Sequence, residues 1–310
     1  MIPIKPEVLV SQEDRSVNFV FPNGQEARYV RRSEDYAIVY LSSHGGCNQA
    51  CRFCHLTQTK QVEMVETTTE EFIEQARMVL NHYHQQVTSE KEWPVKFLNF
   101  NWMARGEPLL NEAVINNWPT LTFMLKEEAQ KVGVEDVRFN ISTIMPDGEH
   151  ASGSSHAALS VEEVLCTPED WQKPTIYYSL YSMDPAFRKR WLPKAMDPEM
   201  ALKEFAMIQK FIGMNLVIHH CLIEGENDKE TDATAIGMAI TRHKLRARFN
   251  LVRYNPFSSA QGKEPPEEVF VPYFQEMARH MATPGSRIVP RVGFDVAASC
   301  GMFISINPDK

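Results

Sequence analysis

Long apolar runs are missing from this 310-residue chain. None approaches the roughly 20 residues that a membrane span requires. The start, Met1-Ile2-Pro3-Ile4-Lys5-Pro6, has none of the anatomy of a signal peptide. The expectation is a cytoplasmic protein with no membrane partner. Cysteines are scarce, six in all, and clustered, which fits a reducing cytoplasm better than a disulfide scaffold. Positive charge is short as well: 32 Lys and Arg against 40 Asp and Glu leave a net charge of −8. That balance argues against a surface that grips nucleic acid broadly, while leaving room for a local basic patch. No internal repeat or low-complexity tract interrupts the chain. What remains, 43% apolar and 23% charged residues, is ordinary globular composition. The length allows about two domains or one barrel.

What is present is concentrated in Gly45-Gly46-Cys47-Asn48-Gln49-Ala50-Cys51-Arg52-Phe53-Cys54. Three of the six cysteines fall there, spaced C-x3-C-x2-C. Three thiolates this close can hold three irons of a cubane [4Fe–4S] cluster and leave the fourth iron without a protein ligand. An open iron is what S-adenosylmethionine (SAM) needs in order to chelate the cluster through its amino and carboxylate groups. One electron then cleaves the sulfonium into methionine and a 5′-deoxyadenosyl radical, chemistry that the cofactor carries and the protein positions. A three-ligand zinc site is the competing reading, with His44 and His55 flanking the motif.

Around this loop the chain alternates strand and helix. Residues 15–31 read as a β-hairpin with Pro22-Asn23-Gly24 as its turn. Tyr36 to Leu41 reads as a strand buried on both faces, directly before the cysteines. Thr67-Thr68-Thr69-Glu70-Glu71 is a cap-like start to a helix with Phe72, Ala76, Val79 and Leu80 along one stripe. Further strands are read at Val95–Phe100, Val137–Ser142, Thr175–Tyr181, from Asn215, and at Phe249–Val252. Helical patterns run over Leu121–Lys131, Pro198–Phe211, Glu230–Thr241 and Glu267–Met281. Gly/Ser-rich Asp147–Ala157 reads as a surface loop. Six β-α units in series predict a parallel sheet with helices outside. In such barrels the chemistry sits at the C-terminal strand ends.

Gly106-Glu107-Pro108 follows the second of these parallel strands. A cysteine loop after strand one and Gly-Glu after strand two resemble the radical SAM enzymes, whose fold is a partial (β/α)6 barrel of TIM type. The glycine lets backbone approach a ligand and the glutamate can accept from the SAM amino group. The run Ser42-Ser43-x-x-Gly46-Cys47-x-x-x-Cys51-x-Phe53-Cys54 narrows the likeness to the RlmN/Cfr-type RNA adenine-C2/C8 methyltransferases. Met103-x-x-Gly106-Glu107-Pro108-Leu109, Ser142-Thr143, Ser179-Leu180-Tyr181, Asn255-Pro256 and Asp295-x-Ala297-Ala298-x-Cys300-Gly301 agree with it. The resemblance runs from about residue 15 to Met302. It implies an α/β fold with a hairpin and extension over 1–33, then a barrel with a C-terminal carrier-cysteine segment over 34–310.

It also implies the roles. Cys47, Cys51 and Cys54 would hold the cluster. Gly106, Glu107, Ser142, Ser179, Leu180, Tyr181 and Asn255 would contact SAM. Cys300 would take a methyl group by displacement, since a thiolate is a strong nucleophile, and carry it as a radical to an adenine carbon. Glu26 would accept the proton, an exposed hairpin carboxylate being the other reading of it. The implied partners are rRNA or tRNA and an electron donor such as flavodoxin or ferredoxin, the chain acting as a monomer.

Two departures stand out. The family's second reactive cysteine, which releases product by a disulfide with the carrier, is Tyr40 here. Cys221, at a strand end, is a better stand-in than Cys166. Only about 15 residues precede the hairpin, where the family carries a helical RNA-holding domain. Basic runs remain at Arg28/Arg31/Arg32, Arg188/Lys189/Arg190/Lys194 and Arg242/Lys244/Arg246/Arg248. The second of these is the one placed to meet phosphate. A radical SAM enzyme with another substrate or product is the alternative function.

Overall fold

A computed structural model describes residues 5–148, 155–281 and 284–305. It opens with three antiparallel strands, β1 (Glu7–Val10), β2 (Val17–Val20) and β3 (Glu26–Arg31), and β3 pairs antiparallel with β4 (Tyr36–Tyr40). The expected hairpin is therefore β2–β3, with β1 added at its edge. From β4 onward every pairing is parallel, through β5 (Phe97–Trp102), β6 (Asp136–Thr143), β7 (Thr175–Tyr178), β8 (Asn215–Cys221), β9 (Ala247–Val252) and a two-residue β10 (Arg287–Ile288). All ten form one sheet in sequential order. The order is linear, so the barrel is open between its two edges, as the partial-barrel expectation requires.

The helices lie between the strands in sequence: α1 (His55–Gln58), α2 (Thr69–Ser89), α3 (Glu112–Asn116), α4 (Trp118–Lys131), α5 (His156–Leu165), α6 (Pro185–Trp191), α7 (Pro198–Phe211), α8 (Glu230–Arg242) and α9 (Glu267–Ala278). Their local causes are readable. Thr68 caps α2 in a reciprocal capping box with Glu71, and the predicted stripe of Phe72, Ala76, Val79 and Leu80 is buried. Asp197 caps α7, whose first residue is Pro198, a position that needs no N–H. Between helices and sheet lies the main core, where Trp102 packs its ring 4.8 Å from Trp118. Each fully buried side chain of this size contributes roughly 1.5–3 kcal/mol.

Three expectations shift. The second parallel strand runs Phe97–Trp102 rather than Val95–Phe100, extended at its far end by Asn101, which faces the cavity despite its polarity, and by Trp102. The fourth ends at Tyr178, leaving Ser179, Leu180 and Tyr181 in the loop. The Gly/Ser-rich stretch falls partly outside the described residues, and its last residues open α5, capped by Ser155. No described helix is long and apolar enough to cross a membrane.

Candidate active site

One cavity opens at the C-terminal ends of the parallel strands. Its walls include Cys47, Cys51, Cys54, Gly106, Glu107, Ser142, Ser179, Tyr181 and Cys300. The fold thus joins segments more than 250 residues apart in the chain.

The cysteine loop leaves β4 and is pinned by backbone bonds. Gly45 and Cys47 donate N–H to Val65 and Gln61 carbonyls at 2.9 and 3.0 Å, and Arg52 donates to Trp191. Gly46 admits no substitute, since a Cβ there would lie 2.6 Å from two carbonyl oxygens, those of Gln61 and Glu63. Ala50 takes a left-handed φ of 57° to turn the loop. Behind it lies a small apolar cluster with Tyr181, Phe187 and Trp191, and Phe53 stacks on Tyr181 with ring centres 4.3 Å apart. Burial pushes the Cys54 thiol up to about 11 and Cys47 up to about 12. A coordinated metal favours the thiolate form that ligation needs.

Gly106 sits at φ +93°, and a Cβ would strike Ser43 Oγ and His44 Nδ1 at about 2.5 Å. Glycine is needed here for packing against the strand-one loop. Glu107 is buried with its carboxylate accepting from the Leu109 and Ile144 amides at 3.2 and 3.1 Å. Burial nevertheless pushes it up to about 7, with the Ile144, Thr143 and Leu109 hydrogen bonds pulling the other way. An incoming ammonium group would restore its charge.

Cys300 is an exposed residue on the cavity wall whose thiol turns inward, where burial pushes it up against the opposing pull of Arg28 and Arg32. Its segment crosses the open side of the barrel and is held from several elements. Asn255 Nδ2 donates to the Cys300 carbonyl at 3.0 Å, and the His55 amide donates to Gly301 at 2.9 Å. Arg28 donates to the Met302 carbonyl at 2.6 Å and Arg105 to the Ile304 carbonyl at 2.6 Å. Glu26 binds both guanidinium groups, at 2.7 Å each, and accepts from the Ile304 amide at 3.0 Å.

Not every expected residue reaches the cavity. Leu180 is in the core, its carbonyl taken by Arg188 at 2.6 Å, and Asn255 acts on the Cys300 backbone. Glu26 is completely buried rather than exposed, off the cavity wall, with its carboxylate held below the usual range by Arg28 and Arg105 against the opposing effect of burial. Cys221 is enclosed in the apolar cluster, 3.6 Å from the Tyr181 hydroxyl, whereas Tyr40 is on the cavity wall. The basic runs also need correction. Arg28 and Arg31 are inside the fold, Arg188 is tied to the Leu180 and Met196 carbonyls, and Arg190 pairs with Glu226. Arg188 and Arg190 are thus already engaged within the chain.

Sequence reasoning missed Arg105, whose signal was its place beside Gly106-Glu107. It also missed a row of polar side chains, one from each of five strands: Asn101, Tyr177, His219, Asn250 and Arg287 all line the cavity.

No protein-family model matches the chain. The chain is 26% identical to the probable dual-specificity RNA methyltransferase RlmN of Salinibacter ruber, over 98% of this chain and 78% of that one. Its fold superposes on a radical SAM methyltransferase from Sphaerobacter thermophilus with a TM-score of 0.73 at 17% identity, over 97% and 81% of the two chains. The chain is thus similar in sequence to an RlmN-type methyltransferase and in fold to a radical SAM methyltransferase. It is an enzyme of the methyltransferase class. The RlmN/Cfr-type family implies SAM and a [4Fe–4S] cluster, and the donor set fits them: three thiols on one loop share a cavity with Gly106 and Glu107. Among the described residues no His, Cys, Asp or Glu trio is gathered tightly enough for a single metal ion.

Proposed function

We propose that the chain methylates an adenine carbon, C2 or C8, in RNA, with Cys300 as the methyl carrier and the cluster on Cys47, Cys51 and Cys54. The observation that carries this reading is that Cys300 lines the same cavity as the three cysteines, on a segment fixed by Asn255, His55, Arg28 and Arg105. When bound, the cluster supplies the one electron that gives SAM radical reactivity, which an electron-poor aromatic carbon needs for methylation. The chain's own residues hold and orient. Glu107 takes the SAM amino group, Gly106 and Ser142 bring backbone and hydroxyl to the ligand, and Ser179 and Tyr181 close the far wall. Glu26 keeps the Cys300 segment in place through Arg28 and Arg105. Electrons come from a flavodoxin or ferredoxin.

Anaerobic reconstitution followed by peptide mass spectrometry tests this. About four irons per chain, 5′-deoxyadenosine from SAM under reductant, and a methyl or methylene group on the Cys300 peptide are expected. An unmodified Cys300 after SAM turnover overturns the carrier role.

A second reading is favoured by one observation. Tyr40 occupies the cavity wall where the family's releasing thiol belongs, and Cys221 is sealed behind Tyr181. A different substrate or product would remove the need for a disulfide step. A long-lived adduct on Cys300 would be the mark of an adenine product without a releasing thiol, and its attached group identifies the substrate.

A further inference from the structure

The cavity has a second end. Tyr36 begins β4, at the opposite end of the strand from the cysteine loop, and Arg287 donates to its hydroxyl at 3.2 Å. Arg32 and Arg287 both line the cavity, and so do Arg28, Tyr40, Asn101, Tyr177, His219 and Asn250. Register places them together: Arg28 opposite Tyr40, Tyr40 opposite Asn101, and Asn250 between His219 and Arg287. These are inward positions of neighbouring strands, and they are polar where a filled barrel would carry Val, Ile or Leu.

Their charges are unbalanced. Among the described residues Glu107 is the sole carboxylate on the cavity wall, and it lies at the cysteine-loop end. Glu26 neutralises Arg28, but no ion pair is recorded for Arg32, Arg248 or Arg287 among the described residues, in a protein of net charge −8. Arg248 joins the group through the Tyr177 hydroxyl, and burial holds His219 neutral, with Arg32 and Arg287 adding to it. Polar atoms here are unfilled. Asn250 is 4% exposed with no partner for its Oδ1, and neither His219 Nδ1 nor Arg32 Nε has one. Guanidinium groups crowded in a partly enclosed space repel one another unless an anion joins them, and a phosphate accepts two parallel N–H bonds from each.

We propose that Arg32 and Arg287, backed by Arg248, form a phosphate subsite that holds the phosphate of a substrate nucleotide beside Cys300. Asn250 and His219, on the same wall, are the neutral partners for the rest of that nucleotide. This rests on the reading of the cavity as the methyl-transfer site. It adds that affinity at this end is electrostatic and comes from Arg32 and Arg248, one member each of two of the basic runs, together with Arg287.

Calorimetric titration of the full chain with AMP, adenosine and CMP tests it. AMP should bind at least about tenfold tighter than adenosine, and its affinity should fall with added salt while that of adenosine holds. Arg32→Gln with Arg287→Gln should bring AMP down to the adenosine level. The salt comparison uses the unaltered protein, so it decides even if the double variant fails to fold. Equal binding of AMP and adenosine, or an AMP preference that survives the double substitution in a folded protein, overturns the subsite. Tight binding of CMP as well as AMP supports the phosphate subsite while counting against adenine as the target. Displacement of AMP by the trinucleotide UpApU assigns the subsite to a nucleotide within RNA, and failure to displace it assigns the subsite to a free nucleotide.

Discussion

The two ends of the cavity are built in different ways. The cysteine-loop end comes from short contiguous stretches, residues 46–54 and 106–107, each at the end of a strand. The arginine end comes from single residues on β9 and β10 and from Arg32, brought together by strand register. The first end is tolerant of nothing local: Gly46 and Gly106 have no room for a Cβ, and the thiols are specified by spacing. The second is tolerant of local sequence but depends on pairing. Cofactor chemistry needs atoms at fixed short separations, which a loop supplies. A larger and more polar ligand can be met by side chains spread along a sheet face.

The largest expected contrast comes from the cysteines. Replacing Cys47, Cys51 or Cys54 with Ala should remove nearly all bound iron and all SAM cleavage, read by iron analysis and 5′-deoxyadenosine production, whereas Arg287→Gln should leave both unchanged. Equal loss from Arg287→Gln would break the division between the two ends.

Next comes the buried junction that ties them. Glu26→Gln leaves Arg28 and Arg105 without their shared carboxylate, and breaking such a pair costs about 3–5 kcal/mol, measurable by denaturant unfolding. The folded carboxylate is held below its ordinary 4.5. Its contribution is therefore fully present above that pH and is lost as pH falls through the lowered folded value. Glu26→Gln should flatten this acid limb of the stability curve.

Glu107 should behave in the opposite sense. Its folded value, raised to about 7 from 4.5, makes the SAM-free protein lose stability as pH rises between those values. Glu107→Gln should abolish that loss and weaken SAM binding, so pH-dependent melting with and without SAM separates the two effects. A SAM affinity unchanged in Glu107→Gln would remove this residue from the cofactor end.

The smallest effect belongs to Cys221→Ala. The thiol is buried beside Tyr181, and losing it should cost about 1–2 kcal/mol in unfolding while turnover stays the same. A fall in turnover would make Cys221 the releasing thiol and blur the boundary between core and site.

By itself the amino-acid sequence determined the alternation of six parallel strands with helices, the boundaries of α7, and the cysteine loop with its Gly-Glu partner. These rest on periodicity, caps and spacing, which act over a few residues. Glu26 was beyond it: a carboxylate on a hairpin strand has no local mark that says buried, and its partners Arg105 and Ile304 lie 79 and 278 residues away. Polar Asn101, His219 and Asn250 broke the apolar pattern of strands because they face a cavity that exists only once the sheet has curved. Tertiary structure alone decided that Tyr40 stands on the cavity wall and Cys221 behind it. Strand register and barrel curvature are sums over the whole chain, and no window of sequence contains them.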